Sequence, residues 1–378
     1  MTFIKRFCIL VLCFFLLSAS KITGHAASDY VPVTARYAFA QSTKTGRILY
    51  DKAGQIRTPM ASTTKMMTAI VVIENCSLSD IVTISKESSQ ITGSTMHLAQ
   101  GEKITVHALL YGLLLVSGND AAVALAEHTA GSVEDFCGKM NEKSKELCLS
   151  DTHFTSPHGL DDANHYTTAQ DLAQIAKVFM EHSTLTKICN TKQITIEGHH
   201  LTNTNPLLGI DSHVNGIKTG YTGNAGYCLV ISAQNANDSF IIVLLGCPSA
   251  KDRKRDAKRL TEYITTNYAL YEILPRGFIV GSMPIKDGYE ERADIVIPEK
   301  IVLTLTPKER ENLRWSFTSN APILTAPVTG GYVCGKVSVY AQNTCLFESA
   351  AVALKSVPAK GFWAHFLDVI SHLIYLFS

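Results

Sequence analysis

Hydrophobic and polar positions follow two textures along this chain. Up to about residue 270, apolar runs with helical spacing lie between strand-like runs; from about 275 the runs become short, β-branched and punctuated by turns. The stretch "RYAFAQSTKTGRILYDK" (36–52) predicts two strands about a glycine turn. "TPMASTTKMMTAIVVIE" (58–74) predicts a helix that is apolar nearly all round beyond its polar first turn. A helix of that kind is buried on every side, so its first turn must open into something other than core, most simply a cleft. "TVHALLYGLLLV" and "DAAVALAEHTA" predict two helices joined by "SGN", and "SVEDFCGKMNEKSKELCL" and "TTAQDLAQIAKVFMEHS" predict two more. Three strands follow, "VNGIKTGYT", "GYCLVISAQ" and "SFIIVLLGC", and then a helix over 251–268. Strands at both ends with helices between imply an α+β domain, one sheet packed on a helical cluster.

The second texture, "RADIVIPEKIVLTLTP", "APILTAPV", "GYVCGKVSVYA" and "TCLFESAAVA", predicts a small all-β domain over 275–357. In its hairpin a turn at Gln342–Asn343 sets Cys345 opposite Tyr340 and away from Cys334. The last stretch, 358–378, places Phe366, Leu367, Ile370, Leu373, Ile374 and Phe377 on one helical face and His365, Asp368 and His372 on the other. That pattern suits a helix lying in a membrane interface, with Trp363 near the headgroups; a core-docking or dimer helix and a tilted span are the alternatives. At the other end, Lys5 and Arg6 precede "FCILVLCFFLL" and "GHAAS", which reads as a secretory signal over 1–27 with cleavage after Ala26 or Ala27.

A net charge of +1 gives no support for a nucleic-acid partner. The run "KDRKRDAKR" (251–259) reads as a solvated helix face rather than a phosphate patch. Eight cysteines remain outside the signal, and their spacing suggests free, partly buried thiols. Neither C-x-x-C nor H-E-x-x-H occurs, so no metal site is expected from motifs.

Candidate chemistry starts at Ser62 and Lys65, which share one helical face at i and i+3. A serine at a helix N-terminus has free backbone N–H groups beside it to stabilise an oxyanion. A lysine in a poorly solvated cleft near other cations loses its proton easily and can act as base. S-x-x-K alone is weak: Ser18 to Lys21 matches it too. Two further motifs add weight, Ser117-Gly118-Asn119 between two helices and Lys218-Thr219-Gly220 on a strand. Lys218 there can meet a carboxylate, and Gly220 permits close backbone approach. The earlier Lys44-Thr45-Gly46 falls in a predicted hairpin turn and is assigned to the turn.

These three motifs, in this order, resemble those of the penicillin-recognising serine enzymes. "PMASTTKMMTA", "LLYGLLLVSGNDAAVALAE", "FTSPHGLDDANHYTTAQDLA" and "GIKTGYTGNAGYCLV" narrow the resemblance to the serine-type D-alanyl-D-alanine carboxypeptidases, strongly over residues 30–270. The resemblance implies a β-lactamase/transpeptidase-like domain over 28–274, with an antiparallel sheet and a helical cluster. It implies that Ser62 attacks the carbonyl between the two terminal D-alanines, with Lys65 as base. Ser117 would relay a proton to the leaving D-alanine. Asn119 would bind the peptide backbone, and Lys218 and Thr219 the terminal carboxylate. Gly220 would line the strand on which the peptide lies, and the Ser62 and Tyr221 N–H groups would form the oxyanion hole. Peptidoglycan stem peptides, β-lactams as acylating inhibitors and the membrane surface are the implied partners, outside the cytoplasmic membrane and without cofactor. The "HGLDD" segment tempts a Ser-His-Asp reading through His158 and Asp161, but Lys65 already supplies the base, so His158 is expected as a buried hydrogen-bonding residue. Cys148 stands where relatives usually carry glycine. A D,D-endopeptidase and a penicillin-binding wall protein with little turnover are the rival readings; a β-lactamase is disfavoured by the lack of S-D-N.

Overall fold

The computed structural model describes residues 31–377; the expected export signal lies outside them. The chain divides into two compact units, with the division between Ala269 and Leu270. The sequence reading set the boundary five residues later, at 274/275.

The first unit holds a five-stranded antiparallel sheet of β1 (Tyr37–Ser42), β2 (Ile48–Lys52), β3 (Val214–Thr222), β4 (Gly226–Gln234) and β5 (Ser239–Cys247). Their order is β2-β1-β5-β4-β3, which leaves β3 on an edge. The last three strands have the bounds expected from their strand-like runs, and the last, "SFIIVLLGC", is nearly all apolar. That run lacks polar alternation because both faces of the sheet are covered. Along β5, Ile241, Val243 and Leu245 enter one core, while Phe240, Ile242 and Leu244 enter another.

The first core is shared with α1 (Lys65–Asn75), α2 (Val106–Leu114), α3 (Asn119–Ala130), α4 (Val133–Glu146) and α5 (Ala169–Glu181). The second is shared with α6 (Ala250–Asn267), through Ala257, Leu260 and Ile264. The sheet is therefore a middle layer, whereas the sequence reading placed it on a single helical cluster. The apolar segment after the polar turn behaves as expected: α1 is buried without a break from Lys65 to Val72. A helix over Ser183–Cys189 and a hairpin of Gln193–Ile196 with His199–Thr202 had no expected counterpart. Both are too short to establish a period in the sequence.

The second unit contains two-stranded and six-stranded sheets. Its core gathers residues such as Ile295, Leu305, Val337 and Val339. It is all-β apart from the short helix Pro307–Glu311, closed by a capping box between Thr306 and Glu309, and the terminal helix. Tyr340 pairs with Cys345, as the hairpin turn requires, and all eight described cysteines are free. The terminal helix, Phe362–Phe377, leaves Trp363, Phe366, Leu367, Ile370 and Ile374 exposed. Leu373, Phe377, Asp368 and His372 lie outside the described side chains. No described helix is long and apolar enough to cross a membrane.

Candidate active site

A short 3₁₀ turn, Ala61–Thr64, runs directly into α1 and carries Ser62. Ala61 has a φ of +49°, a left-handed conformation that costs a non-glycine residue about 1 kcal/mol or more. The turn buries Ala61, Thr63 and Thr64 and leaves Ser62 partly exposed. Ser62 N–H belongs to the first turn, where backbone donors have no intrahelical partner.

Lys65 is fully buried. Its Nζ lies 2.9 Å from Ser62 Oγ, 2.8 Å from Asn119 Oδ1 and 2.8 Å from the His158 carbonyl. The amide and peptide oxygens can only accept. A neutral amine satisfies them with its two N–H bonds and keeps a lone pair for the Ser62 hydroxyl. Burial, and then the nearby charge of Lys218, hold Lys65 well below the ordinary lysine range.

Asn119 is oriented from behind. Its Nδ2 donates to the Thr92 carbonyl at 2.7 Å, and its backbone N–H to the Ser94 carbonyl at 2.7 Å. The side-chain oxygen is thereby left for Lys65. Ser117, buried and with a φ of +65°, stands in the link between α2 and α3. The adjacent Asp120 accepts from the Met96 and Leu98 N–H groups and pins loop 94–98 to the head of α3. The sequence reading did not single out Asp120; an acid in the first turn of an apolar helix was the available signal.

On β3, Lys218 is also buried and donates to the Thr219 carbonyl. Burial, and then the charge of Arg253, lower it to about 7. The Thr219 hydroxyl lies 2.7 Å from that of Thr204, which donates to the Leu115 carbonyl at 3.2 Å. This side-chain chain joins β3 to the link carrying Ser117. A Cβ on Gly220 would stand 3.0 Å from Ser62 N and 3.1 Å from Ala61 Cβ. Glycine therefore lets β3 lie against the Ser62 turn. Tyr221 is 57% exposed, its ring 4.3 Å from that of Tyr227. The Ser-x-x-Lys, Ser-x-Asn and Lys-Thr-Gly elements thus converge, while Lys44 to Gly46 sit in the β1–β2 turn.

Two sequence readings need correction. First, His158 contributes its main chain to the site. Its imidazole is only partly buried, held at about 4 by burial and by Lys65, and its Nδ1 accepts from Leu160 N–H. Asp161 accepts from Thr222 Oγ1 and Asn224 N–H, so it joins no triad with His158, in keeping with the sequence expectation. The buried histidine is His165. It accepts the Thr155 N–H at 3.0 Å through Nδ1 and meets Thr64 Oγ1 at 2.8 Å through Nε2. Thr64 in turn donates to the Ala61 carbonyl, which braces the Ser62 turn. Gly159 packs so closely there that a Cβ would fall 2.0 Å from the Ala61 carbonyl oxygen. Second, the basic run 251–259 is not a uniformly solvated face. Arg253 has a buried Nε, and Asp256 is fully buried with Oδ2 accepting from the Ala35 N–H. Tertiary packing turned these two inward, and a charge run by itself does not report that. Cys148 is exposed with a φ of +57°, the conformation that favours glycine.

A family profile described as D-alanyl-D-alanine carboxypeptidase matches residues 23–249. The chain belongs to the D-alanyl-D-alanine carboxypeptidase family. A profile for the C-terminal domain of penicillin-binding protein 5 matches residues 268–359. The D-alanyl-D-alanine carboxypeptidase DacF of Bacillus subtilis is 33% identical over 84% of this chain and 84% of its own length. DacD of Escherichia coli is 33% identical over 87% of this chain and 88% of its own. Among solved structures, penicillin binding protein 5 from Haemophilus influenzae superposes with a TM-score of 0.79 at 29% identity, covering 88% of this chain and 100% of that one.

This carboxypeptidase-family site keeps two lysines in the core, at a cost in stability. For Lys218 the sign follows from its lowered value. Below about 7 both folded and unfolded chains carry the proton, and the full burial penalty applies. Between there and the ordinary lysine value the unfolded chain binds the extra proton, so stability rises with pH. Lys218→Met is expected to raise stability at pH 7 by roughly 2 kcal/mol or more. The gain should shrink towards pH 10. Thermal melts at the two pH values check this; equal gains would contradict it.

Proposed function

We propose that this protein is a serine D,D-carboxypeptidase that removes the terminal D-alanine of peptidoglycan stem pentapeptides. The observation that carries the reading is the buried Lys65 amine, 2.9 Å from Ser62 Oγ, with two pure acceptors taking its N–H bonds. In this reading Lys65 takes the Ser62 proton as Oγ attacks the carbonyl between the two D-alanines. The oxyanion is met by the Ser62 and Tyr221 N–H groups at the turn that Gly220 brings close. Collapse of the tetrahedral intermediate breaks the peptide bond, and the proton taken by Lys65 passes through the Ser117 hydroxyl to the leaving amine, which leaves Lys65 neutral and Ser117 protonated again. Lys218 and Thr219 hold the departing residue's carboxylate. Asn119 serves the acyl side, where the peptide adds to the free edge of β3. Water then attacks the ester, Lys65 takes its proton and returns it to Ser62 Oγ as the ester bond breaks, and the shortened peptide is released. β-Lactams acylate the same serine.

Incubating the protein with a stem pentapeptide ending in D-Ala-D-Ala tests the reading. Release of one D-alanine per peptide supports it. Release only from cross-linked dimers would assign the endopeptidase alternative instead. No release from either, with penicillin still bound, would leave a binding protein.

The assignment extends to the whole chain. Residues 1–27 serve as export signal, 28–274 carry catalysis, 275–357 form the β domain and 358–378 lie on the outer face of the cytoplasmic membrane. The exposed Trp363, Phe366, Leu367, Ile370 and Ile374 support the last of these. Truncation after Val357 is expected to release the protein from anionic vesicles and leave pentapeptide turnover within about twofold, since the removed segment supplies none of the site's residues. Sedimentation of the truncated form with vesicles would oppose the anchor assignment.

A further inference from the structure

Away from the cleft, Cys76, Asp80 and His128 present one ligand atom each within 4.8 Å of one another. They come from three pieces of chain. Cys76 closes the C-terminal end of α1, and its N–H donates to Val72 O. Asp80 lies in the turn that follows, its Oδ2 accepting from Ser77 N–H at 2.9 Å. His128 is in the last turn of α3, and its Nε2 lies 3.7 Å from Asp80 Oδ2. The Cys76 Sγ is 3.3 Å from Thr129 Oγ1, whose O–H is engaged with the Leu125 carbonyl.

We infer that Cys76, Asp80 and His128 form a binding site for a zinc-class divalent cation. Three arguments converge. The donor set of thiolate, imidazole and carboxylate is the combination that zinc takes in proteins. The separation of His128 Nε2 and Asp80 Oδ2 is near the edge of a tetrahedron with metal–ligand bonds of about 2.0–2.2 Å, and rotation about the Cys76 side chain closes the remaining gap. Lastly, α1 and α3 pack together, and both end here. The negative ends of two helix dipoles therefore favour a cation at this point. Binding transfers the Cys76 thiol proton to bulk water, and a water molecule completes the coordination. The site is structural. It fastens the tails of the two helices whose heads supply Lys65 and Asn119, at the far end of both from the cleft.

The test uses the full chain with its thiols reduced, titrated with Co²⁺ and then with Zn²⁺. One equivalent of Co²⁺ should produce a thiolate-to-cobalt charge-transfer band and the intense visible bands of a four-coordinate ion, both removed by Zn²⁺. Cys76→Ser should abolish the charge-transfer band. His128→Gln, a surface change that spares the fold, should weaken Zn²⁺ binding by roughly a hundredfold or more, since even outer-shell losses cost 10–100-fold. Saturating Zn²⁺ should raise the melting temperature of the parent and of neither variant. Penicillin labelling of both variants should persist and shows that they are folded. No charge-transfer band in the parent, a band that survives Cys76→Ser, or unchanged affinity in His128→Gln would each overturn the site.

Discussion

Ser62→Ala eliminates covalent penicillin labelling and lowers D-alanine release by roughly 10⁵–10⁶-fold, the loss typical when the nucleophile of a serine hydrolase is removed. The physical basis is specific. Ser62 is the partly exposed member of a turn whose other residues are buried, and its Oγ lies 2.9 Å from the Lys65 amine. The neighbouring hydroxyls are committed: Thr63 donates to the Met60 carbonyl and Thr64 to the Ala61 carbonyl. Neither can take over the attack. The fold should be unaffected, because an alanine fits a partly exposed position in a short turn. Mass spectrometry of the penicillin adduct and a D-alanine assay check the two halves. A persistent adduct in the variant would exclude Ser62 as nucleophile.

Lys65→Arg should be nearly as severe, with acylation falling by roughly 10³–10⁴. Arginine keeps the positive charge and the donors, so a purely electrostatic role would survive the change. A guanidinium does not give up its proton under these conditions, so a base role would not. The parent supplies a companion measurement. Burial and Lys218 lower the Lys65 pKa, and only the neutral amine can act. The rate of penicillin acylation should therefore rise with pH on a limb well below the ordinary lysine value. An arginine variant with a near-parent rate, or a parent whose acylation falls as pH rises through this limb, would rule out the neutral-amine mechanism.

Much of the molecule was legible before any coordinates. The three strands ending at Thr222, Gln234 and Cys247 announced themselves as strand-like runs between turn residues, and the sheet's burial on both faces explains why the last of them is nearly all apolar. Helix α1 was legible because eight consecutive residues from Lys65 onward are buried, which no surface helix permits. The motif order was readable because each motif is local. The hairpin register at Tyr340 and Cys345 followed from a two-residue turn. Elements such as Ser183–Cys189 were not legible, since seven residues cannot display a helical period.

The sequence alone determined which side chains could do chemistry: a hydroxyl and an amine at i and i+3, an amide after a serine, a lysine before a glycine. Proximity in the chain settles such pairs. Tertiary structure alone decided what those groups become. Lys65 is held well below the ordinary lysine range because it is enclosed near Lys218, 153 residues away in the chain, while its amine meets Asn119 and the His158 carbonyl, 54 and 93 residues away. Arg253 turned inward, His165 braced the Ser62 turn, and Asp161 tied down the end of β3. Cys76, Asp80 and His128 likewise match no metal-binding spacing, because two helix ends and a turn bring them together. A pKa, a metal geometry and an inward charge all depend on distance and burial in three dimensions, and neither is a property of local spacing.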